Sequence, residues 1–357
     1  MSNQKKILSL QGLRAVMFFL IFFFHSDLYL DRYFVFNRFF IGGGCLAVSV
    51  FFVLSGFVTG LSNKKVHSIS EYIYYIKNKI GKFYLSHLIF LILSIPLSYY
   101  FFLHEIKGKV SLILDLVLMQ SWVSDSAVWR SYNGLAWFLS TLLFCYLMVP
   151  VAQYLFDKIC EGKQKKYLVL IMIQAFIISL MLCFVIQVNV EYWLYAFPPV
   201  RLLDFYSGYV LAKIYMEHDL IRTEKVGAQK YTIFEVLLFV NMVILMFAYP
   251  FVNVGLRRQA LYFPFSLCIV YLFAIGKGRV SKILSMKWVE GIGNNSFYYY
   301  ISHQVILKWV FKIYERTPFI ANRSFLIDFL LVILCLMLTI SSQKVIDCFL
   351  NWDKKSM

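Results

Sequence analysis

The sequence predicts an all-α integral membrane protein of about ten transmembrane helices plus one short re-entrant or interfacial helix. Three observations carry that reading. Of the 357 residues, 61% are apolar and 15% charged, and mean hydropathy is +0.70. A soluble domain has about 45–50% apolar and roughly 25% charged residues, and a fold of this length leaves too much surface in water to hide the surplus. The apolar residues also fall into runs of about 20, the length that crosses a hydrocarbon core. Lastly, basic residues are shared unevenly among the segments that join those runs.

Candidate spans cover 11–30, 41–61, 83–103, 133–156, 167–188, 193–215, 231–250, 257–276, 296–312 and 325–349. Val110–Trp122 is apolar but thirteen residues long, which suits a re-entrant or interfacial helix. With a cytoplasmic N-terminus, ten spans put 20 Lys and Arg in inside segments and 9 outside, in keeping with the positive-inside rule. A full crossing by Val110–Trp122 would carry the lysine-rich DKICEGKQKK outside. The expectation is therefore one membrane domain over 1–357, without an appended soluble domain, in the cytoplasmic membrane with both termini in the cytoplasm. The net charge of +16 reports loop topology and implies no nucleic-acid partner. Lys5 and Lys6 before an apolar run resemble a signal peptide, but no small-residue cleavage site follows. The seven cysteines form no CxxC pair, so they read as reduced, buried small hydrophobes and no metal site is expected.

An ionisable residue inside a span costs about 2.5–3.5 kcal/mol on insertion scales, so each one marks a possible site. Arg14 and His25 lie eleven residues apart in the first span. Eleven helical steps return to within about 20° of the same face, about 16 Å along the axis. The pair implies a protein-lined cavity; the bland alternative is a snorkelling arginine and a packing histidine. Further polar residues are Ser49 and Ser55, His87, Ser140 and Thr141, Arg201 and Asp204, and Ser302 and His303. Arg201 and Asp204 are i,i+3 and suit mutual neutralisation. Lys77, Lys79 and Lys82 gather at the expected cytoplasmic mouth. Lys79 and Lys82 share a face if the third helix extends back to them, making either a polyanion seat or a contact with anionic headgroups.

These pieces, in this order, resemble the acyltransferase 3 family of integral-membrane O-acyltransferases. LQGLRAVMFFLIFFFH (Leu10–His25) is similar to the family's opening helix, and GGGCLAVSVFFVLSGFVTG (Gly42–Gly60) to its second-helix signature. IKNKIGKFYLSHL (Ile76–Leu88) stands where the family has its R-x-x-R element. LDLVLMQSW and YNGLAWFLSTLLFCYLMVP resemble its short apolar segment and tryptophan motif. PPVRLLDFYSGYVLA (Pro198–Ala212) resembles a later element, and IGNNSFYYYISHQVIL the penultimate helix. Five positions depart from the pattern. Lys79-x-x-Lys82 replaces the two arginines, keeping charge but losing the bidentate fork. Leu85 replaces a proline, and Ser49 and Leu142 replace residues that are often acidic.

The resemblance implies transfer of an acyl group, usually acetyl, from cytoplasmic acetyl-CoA to a sugar hydroxyl of a surface or secreted glycan. It implies His25 and Arg14 as catalytic and Lys79, Lys82, Tyr84 and His87 as cofactor-binding. Ser55, Trp137, Ser140, Arg201 and His303 are expected to line the substrate path. The expected partners are membrane lipid and a carbohydrate acceptor, reached directly or through a separate envelope protein that receives the acyl group. His25 can serve as general base or as acyl-accepting nucleophile; the sequence leaves both open. No GxSxG or H-E-x-x-H motif offers another chemistry. The competing class is a glycan-lipid flippase or polysaccharide polymerase, which would need neither a coenzyme A seat nor the aligned imidazole.

Overall fold

The computed structural model describes residues 6–30, 34–62, 66, 68–81, 83–160, 165–221, 227–317 and 324–353. Among these residues every regular element is helical. In chain order they are α1 (Leu8–Leu30), α2 (Phe34–Leu61), α3 (Ile69–Ile80), α4 (Tyr84–Ser94), α5 (Tyr99–His104) and α6 (Ile106–Leu116). There follow α7 (Ser126–Trp129), α8 (Trp137–Leu147), α9 (Val149–Cys160), α10 (Lys165–Val185), α11 (Pro198–Ile221) and α12 (Ala228–Ala248). The last are α13 (Val254–Arg258), α14 (Phe263–Ile275), α15 (Arg279–Leu284), α16 (Lys287–Tyr314) and α17 (Phe325–Asp353).

Six segments are long and apolar enough to cross a membrane: Leu8–Asp27, Gly42–Leu61, Tyr84–His104, Lys166–Val185, Ala228–Phe251 and Phe325–Lys344. Trp137–Leu147 and Ala260–Ile275 are apolar but shorter. The helices α11 and α16 have the length, 24 and 28 residues, yet carry charges such as Arg201, Asp204, Glu290 and Lys308. Charge in α11 and α16 and shortness of the two apolar segments Trp137–Leu147 and Ala260–Ile275 separate the six apolar segments from the ten stretches expected.

The eleven residues of α6 span only about 16 Å, too short to cross. This helix folds back on α5, where a Cβ added to Gly108 would stand 2.1 Å from the Phe101 carbonyl oxygen. Its C-terminal end is tied to α4. His87 Nε2 donates to the Asp115 carbonyl (2.8 Å), and the Tyr84 hydroxyl donates to that of Leu116 (2.7 Å).

The condition for Lys79 and Lys82 to share a helix face is not met. The helix does not extend back to Lys79, because α3 ends at Ile80 and α4 begins at Tyr84. Gly81 caps α3, and Phe83 turns into the core, 4% exposed, with its ring 4.8 Å from Phe297. No residue of α3 is buried, and Ile69, Ile73 and Tyr74 are exposed, as in a helix lying at an interface. Cys268 is corrected, since it is exposed on α14 while Cys45, Cys145, Cys183 and Cys335 are buried.

The centre of the bundle is α2, packed most extensively on α11, with α1 held between α2 and α16. The α2–α11 crossing is backbone on backbone. A Cβ on Gly56 would stand 1.8 Å from the Phe205 carbonyl oxygen, and one on Gly208 would stand 2.0 Å from that of Val53. Small residues permit this approach where lipid removes the hydrophobic drive between helices. Burial separates centre from rim: 78% of the apolar window of α2 is buried, against 17% for α12. The exposed apolar faces of α10, α12 and α17 are those suited to lipid.

Beside this crossing lies a buried polar knot. Arg201 and Asp204 form a fully buried ion pair at 3.0 Å. The guanidinium also donates to the carbonyls of Tyr195 (2.7 Å) and Arg258 (2.8 Å). Asp204 accepts from Gln259 Nε2 (3.0 Å) and Ser49 Oγ (3.2 Å). Removing one partner of such a pair leaves a stranded charge at a cost of about 3–5 kcal/mol.

Candidate active site

Two cavities flank the middle of α1. The first, of about 350 Å³, is walled by α1, α2, α3, α8 and α16 and contains Arg14, Ser55, Thr59, Lys79, Leu142, Tyr146, Asn294 and Ser296. Among the described residues its lining includes two cations and no carboxylate. The Arg14 guanidinium donates to Gln11 Oε1 (3.2 Å), one turn back on its own helix. Lys79 Nζ lies 4.7 Å from the Tyr146 ring centroid and 3.4 Å from Thr59 Oγ1. The ring face holds the ammonium over the opening by cation–π attraction. Cations over an aromatic-lined slot suit a phosphate-bearing ligand with a thin apolar arm.

The second cavity, of about 330 Å³, is lined by His25, Trp129, Arg130, Trp137, Glu191, Tyr195, Arg258, Gln304 and Lys308 among others. His25 therefore opens to one cavity and Arg14 to the other, at opposite ends of one helix. One side chain, Tyr300, lines both. Its ring is buried, 5.1 Å from Phe138, and its hydroxyl donates to the Leu135 carbonyl (3.3 Å). It forms the partition.

The chemistry of His25 is set by what surrounds its ring. Its Nδ1 lies 2.9 Å from the Ile21 carbonyl, and His303 Nδ1 lies 3.0 Å from the Tyr299 carbonyl. A carbonyl only accepts, so in both neutral rings Nδ1 carries the proton. His303 Nε2 is then a bare acceptor, and it stands 3.1 Å from His25 Nδ1. The same proton of His25 is shared between carbonyl and imidazole, which leaves its Nε2 lone pair unprotonated. An imidazole oriented by the bond its other nitrogen makes is the arrangement general bases use.

The structure brings together some of the expected site residues and separates others. Arg14, Lys79 and Ser55 line the first cavity; His25 and Trp137 line the second. Lys82 lies outside the described residues. Tyr84 and His87 line neither cavity, since both are committed to the α4–α6 bonds. His303 is fully buried behind His25 and is not a lining residue. Arg201 lies in its buried knot, where it supports the Arg258 backbone. Ser140 is buried and 2.5 Å from Ser121 Oγ, tying α8 to the turn after α6. Their polar groups are consumed by protein partners, so the expectation that Arg201 and Ser140 line the path is corrected. Leu142, a departure from the family pattern, lines the first cavity, and Ser49, another, instead serves the Asp204 knot.

Arg130, Glu191, Arg258, Gln304, Lys308 and Tyr300 were not singled out by sequence reasoning. Lys308 carried a readable signal: it is an ionisable residue inside a candidate span, the criterion already applied to His25. Among the described residues no three His, Cys, Asp or Glu side chains gather as a metal site would require.

Comparison with known proteins defines the class. The family described as an acyltransferase domain, Acyl_transf_3, matches residues 7–342. The chain belongs to that acyltransferase family. It is similar to Acyltransferase MdmB of Streptomyces mycarofaciens, 31% identical over 186 residues, which cover 48% of this chain and 46% of that relative. The match thus spans about half the length of the relative. No solved structure matches.

Proposed function

We propose that this protein is a membrane O-acyltransferase that moves an acyl group, acetyl above all, from cytoplasmic acyl-coenzyme A to a sugar hydroxyl of a surface or secreted glycan. The observation that carries the reading is the pair of cavities meeting at Tyr300, one with Arg14 and Lys79, the other with the unprotonated Nε2 of His25. The first cavity faces the cytoplasm and takes the donor. Arg14 and Lys79 hold its phosphates, and the slot between Phe51, Phe138 and Tyr300 admits the pantetheine arm. Acyl-coenzyme A supplies the activated thioester. His25 Nε2 takes the proton of the acceptor hydroxyl as its oxygen bonds the acyl carbon. That proton then passes to the departing sulfur, so the ring ends neutral. His303 holds the ring in the productive tautomer throughout. Both termini lie in the cytoplasm, and the acceptor arrives from the opposite side, free or carried by an envelope partner.

The test is acyl transfer to glycan measured beside protein content of the membrane fraction. His25→Ala and His25→Gln should abolish transfer without preventing insertion. Normal acylation by either variant would end the assignment. A fusion reporter within 157–166 should report the cytoplasm and one within 313–324 the outside; an outside signal at 157–166 would refute the orientation.

A further inference from the structure

The lining of the second cavity has a charge imbalance that acyl transfer to a neutral sugar does not call for. Arg130, Arg258 and Lys308 face it, with Glu191 as the one carboxylate in the lining. A single Glu191 oxygen serves both arginines, 2.6 Å from Arg130 Nη2 and 3.0 Å from Arg258 Nη2. That bridge neutralises one cation of three. Lys308 Nζ has the Tyr132 carbonyl at 3.3 Å, and among the described residues no ion pair is formed by it. Tyr132 holds that carbonyl from a left-handed backbone, φ +46, which is strained for a residue of its size and is retained only where surroundings enforce it. Gln304 Oε1 is buried in the same wall without a hydrogen-bond donor, an acceptor ready for a hydroxyl. The Glu191 side chain is 41% exposed, so the arginines already display a carboxylate at a place a ligand can reach.

Resting on the reading of this cavity as the acceptor site, we propose that the acceptor is an acidic glycan whose carboxylate or phosphate is seated by Lys308 and Arg130 while Gln304 accepts a neighbouring hydroxyl. Uncompensated cations in a low-dielectric cavity attract an anion strongly and repel a second cation. A transient negative charge on the reacting carbonyl would occupy one of them at most. Neutral sugars are held by side chains that both donate and accept, and Gln304 is the amide in this lining.

The test uses the full-length protein in neutral detergent and calorimetric titration with paired probes. These are uronic-acid oligosaccharides, the same oligosaccharides after carboxyl reduction, and a sugar phosphate. The acid forms should bind at least about tenfold more tightly than the reduced forms, as expected of a charge pair held away from solvent. The sugar phosphate should compete with them. Lys308→Gln and Arg130→Gln should each narrow the preference, with helix content by circular dichroism and donor titration unchanged. Equal binding of acid and reduced forms, no binding by any acid, or a preference kept in both variants would overturn the proposal. So would an anionic seat filled by phosphatidylglycerol vesicles and not by free sugar acids, which would make the ligand a lipid headgroup. His25→Ala separates the two readings. It should keep the acid preference; if it also keeps acyl transfer, the catalytic assignment fails while the anionic seat stands.

Discussion

The two cavities are nearly equal in volume and share a wall, yet they are built from different chemistry. The first has Arg14 and Lys79 beside hydroxyls and aromatic rings, each cation held by a neutral neighbour. The second has three cations, a carboxylate, an imidazole and two tryptophans, and its arginines are locked in an ion-pair bridge. The neutral Gln11 partner leaves the charge of Arg14 available to a ligand, whereas a bridge spends part of the arginines' charge on joining Arg130 at the end of α7 to Arg258 in α13. The first cavity is thus a seat and the second a framed chamber. Residues that look alike by type therefore differ in what their loss should do.

The largest effect that would sharpen this contrast is expected from His303→Ala. It removes the acceptor that helps fix the His25 tautomer, so kcat should fall on the order of 100-fold with donor KM unchanged. His303→Gln, which restores an acceptor, should recover part of the rate; loss of donor binding instead would mean that His303 acts through packing. Next is Arg14→Ala, which should raise donor KM by about tenfold with a smaller change in kcat, as loss of a charge-assisted phosphate contact does. Lys79→Ala should follow it in direction, and Lys79→Arg should be tolerated, since a guanidinium restores the fork. An Arg14→Ala variant that loses kcat alone would erase the distinction between seat and chamber.

What the sequence disclosed follows from how costly each feature is in lipid. Arg14 and His25 stood out because an ionisable group in an apolar helix has few bland explanations, and the structure gives each a cavity. The Arg201–Asp204 pairing was legible from its i,i+3 spacing, but not the use of its leftover donors on carbonyls of Tyr195 and Arg258, which come from distant chain segments. The break between α3 and α4 follows Gly81, which caps α3 and was a readable stop signal; the burial of Phe83 against α16 was not legible in the sequence. Tyr84 and His87 read as site residues because α6 is remote in sequence from the side chains it satisfies. The imidazole pair was invisible for the same reason: His25 and His303 are 278 residues apart.

Tyr300→Phe tests the partition with a smaller expected effect. The ring remains and a 3.3 Å bond to the Leu135 carbonyl is lost, so transfer should stay within about threefold, the scale of one neutral hydrogen bond. Tyr300→Ala should join the cavities and raise acceptor-independent hydrolysis of the thioester, read as free thiol. No rise in hydrolysis would show that the ring is not the barrier. The smallest effect is expected at the exposed pair Lys107–Asp125, 2.7 Å apart at the α6–α7 turn. The bond from Lys107 holds the Asp125 carboxyl below its ordinary range. Its contribution is therefore present at neutral pH and lost as pH falls through that lowered value. Asp125→Asn should leave transfer unchanged at neutral pH and remove only that acid-side dependence of thermal unfolding.

The glycine crossing of α2 and α11 bears on how anything passes between the two sides. Backbones that touch through Gly56 and Gly208 have no side chains between them to act as a bearing, so neither helix can slide or tilt past the other without breaking contact. Because α2 contributes to the walls of both cavities, its part of each wall is expected to move together with α11 and not against it. Spin labels placed on α2 and α11 should then report one narrow distance, whichever substrates are added.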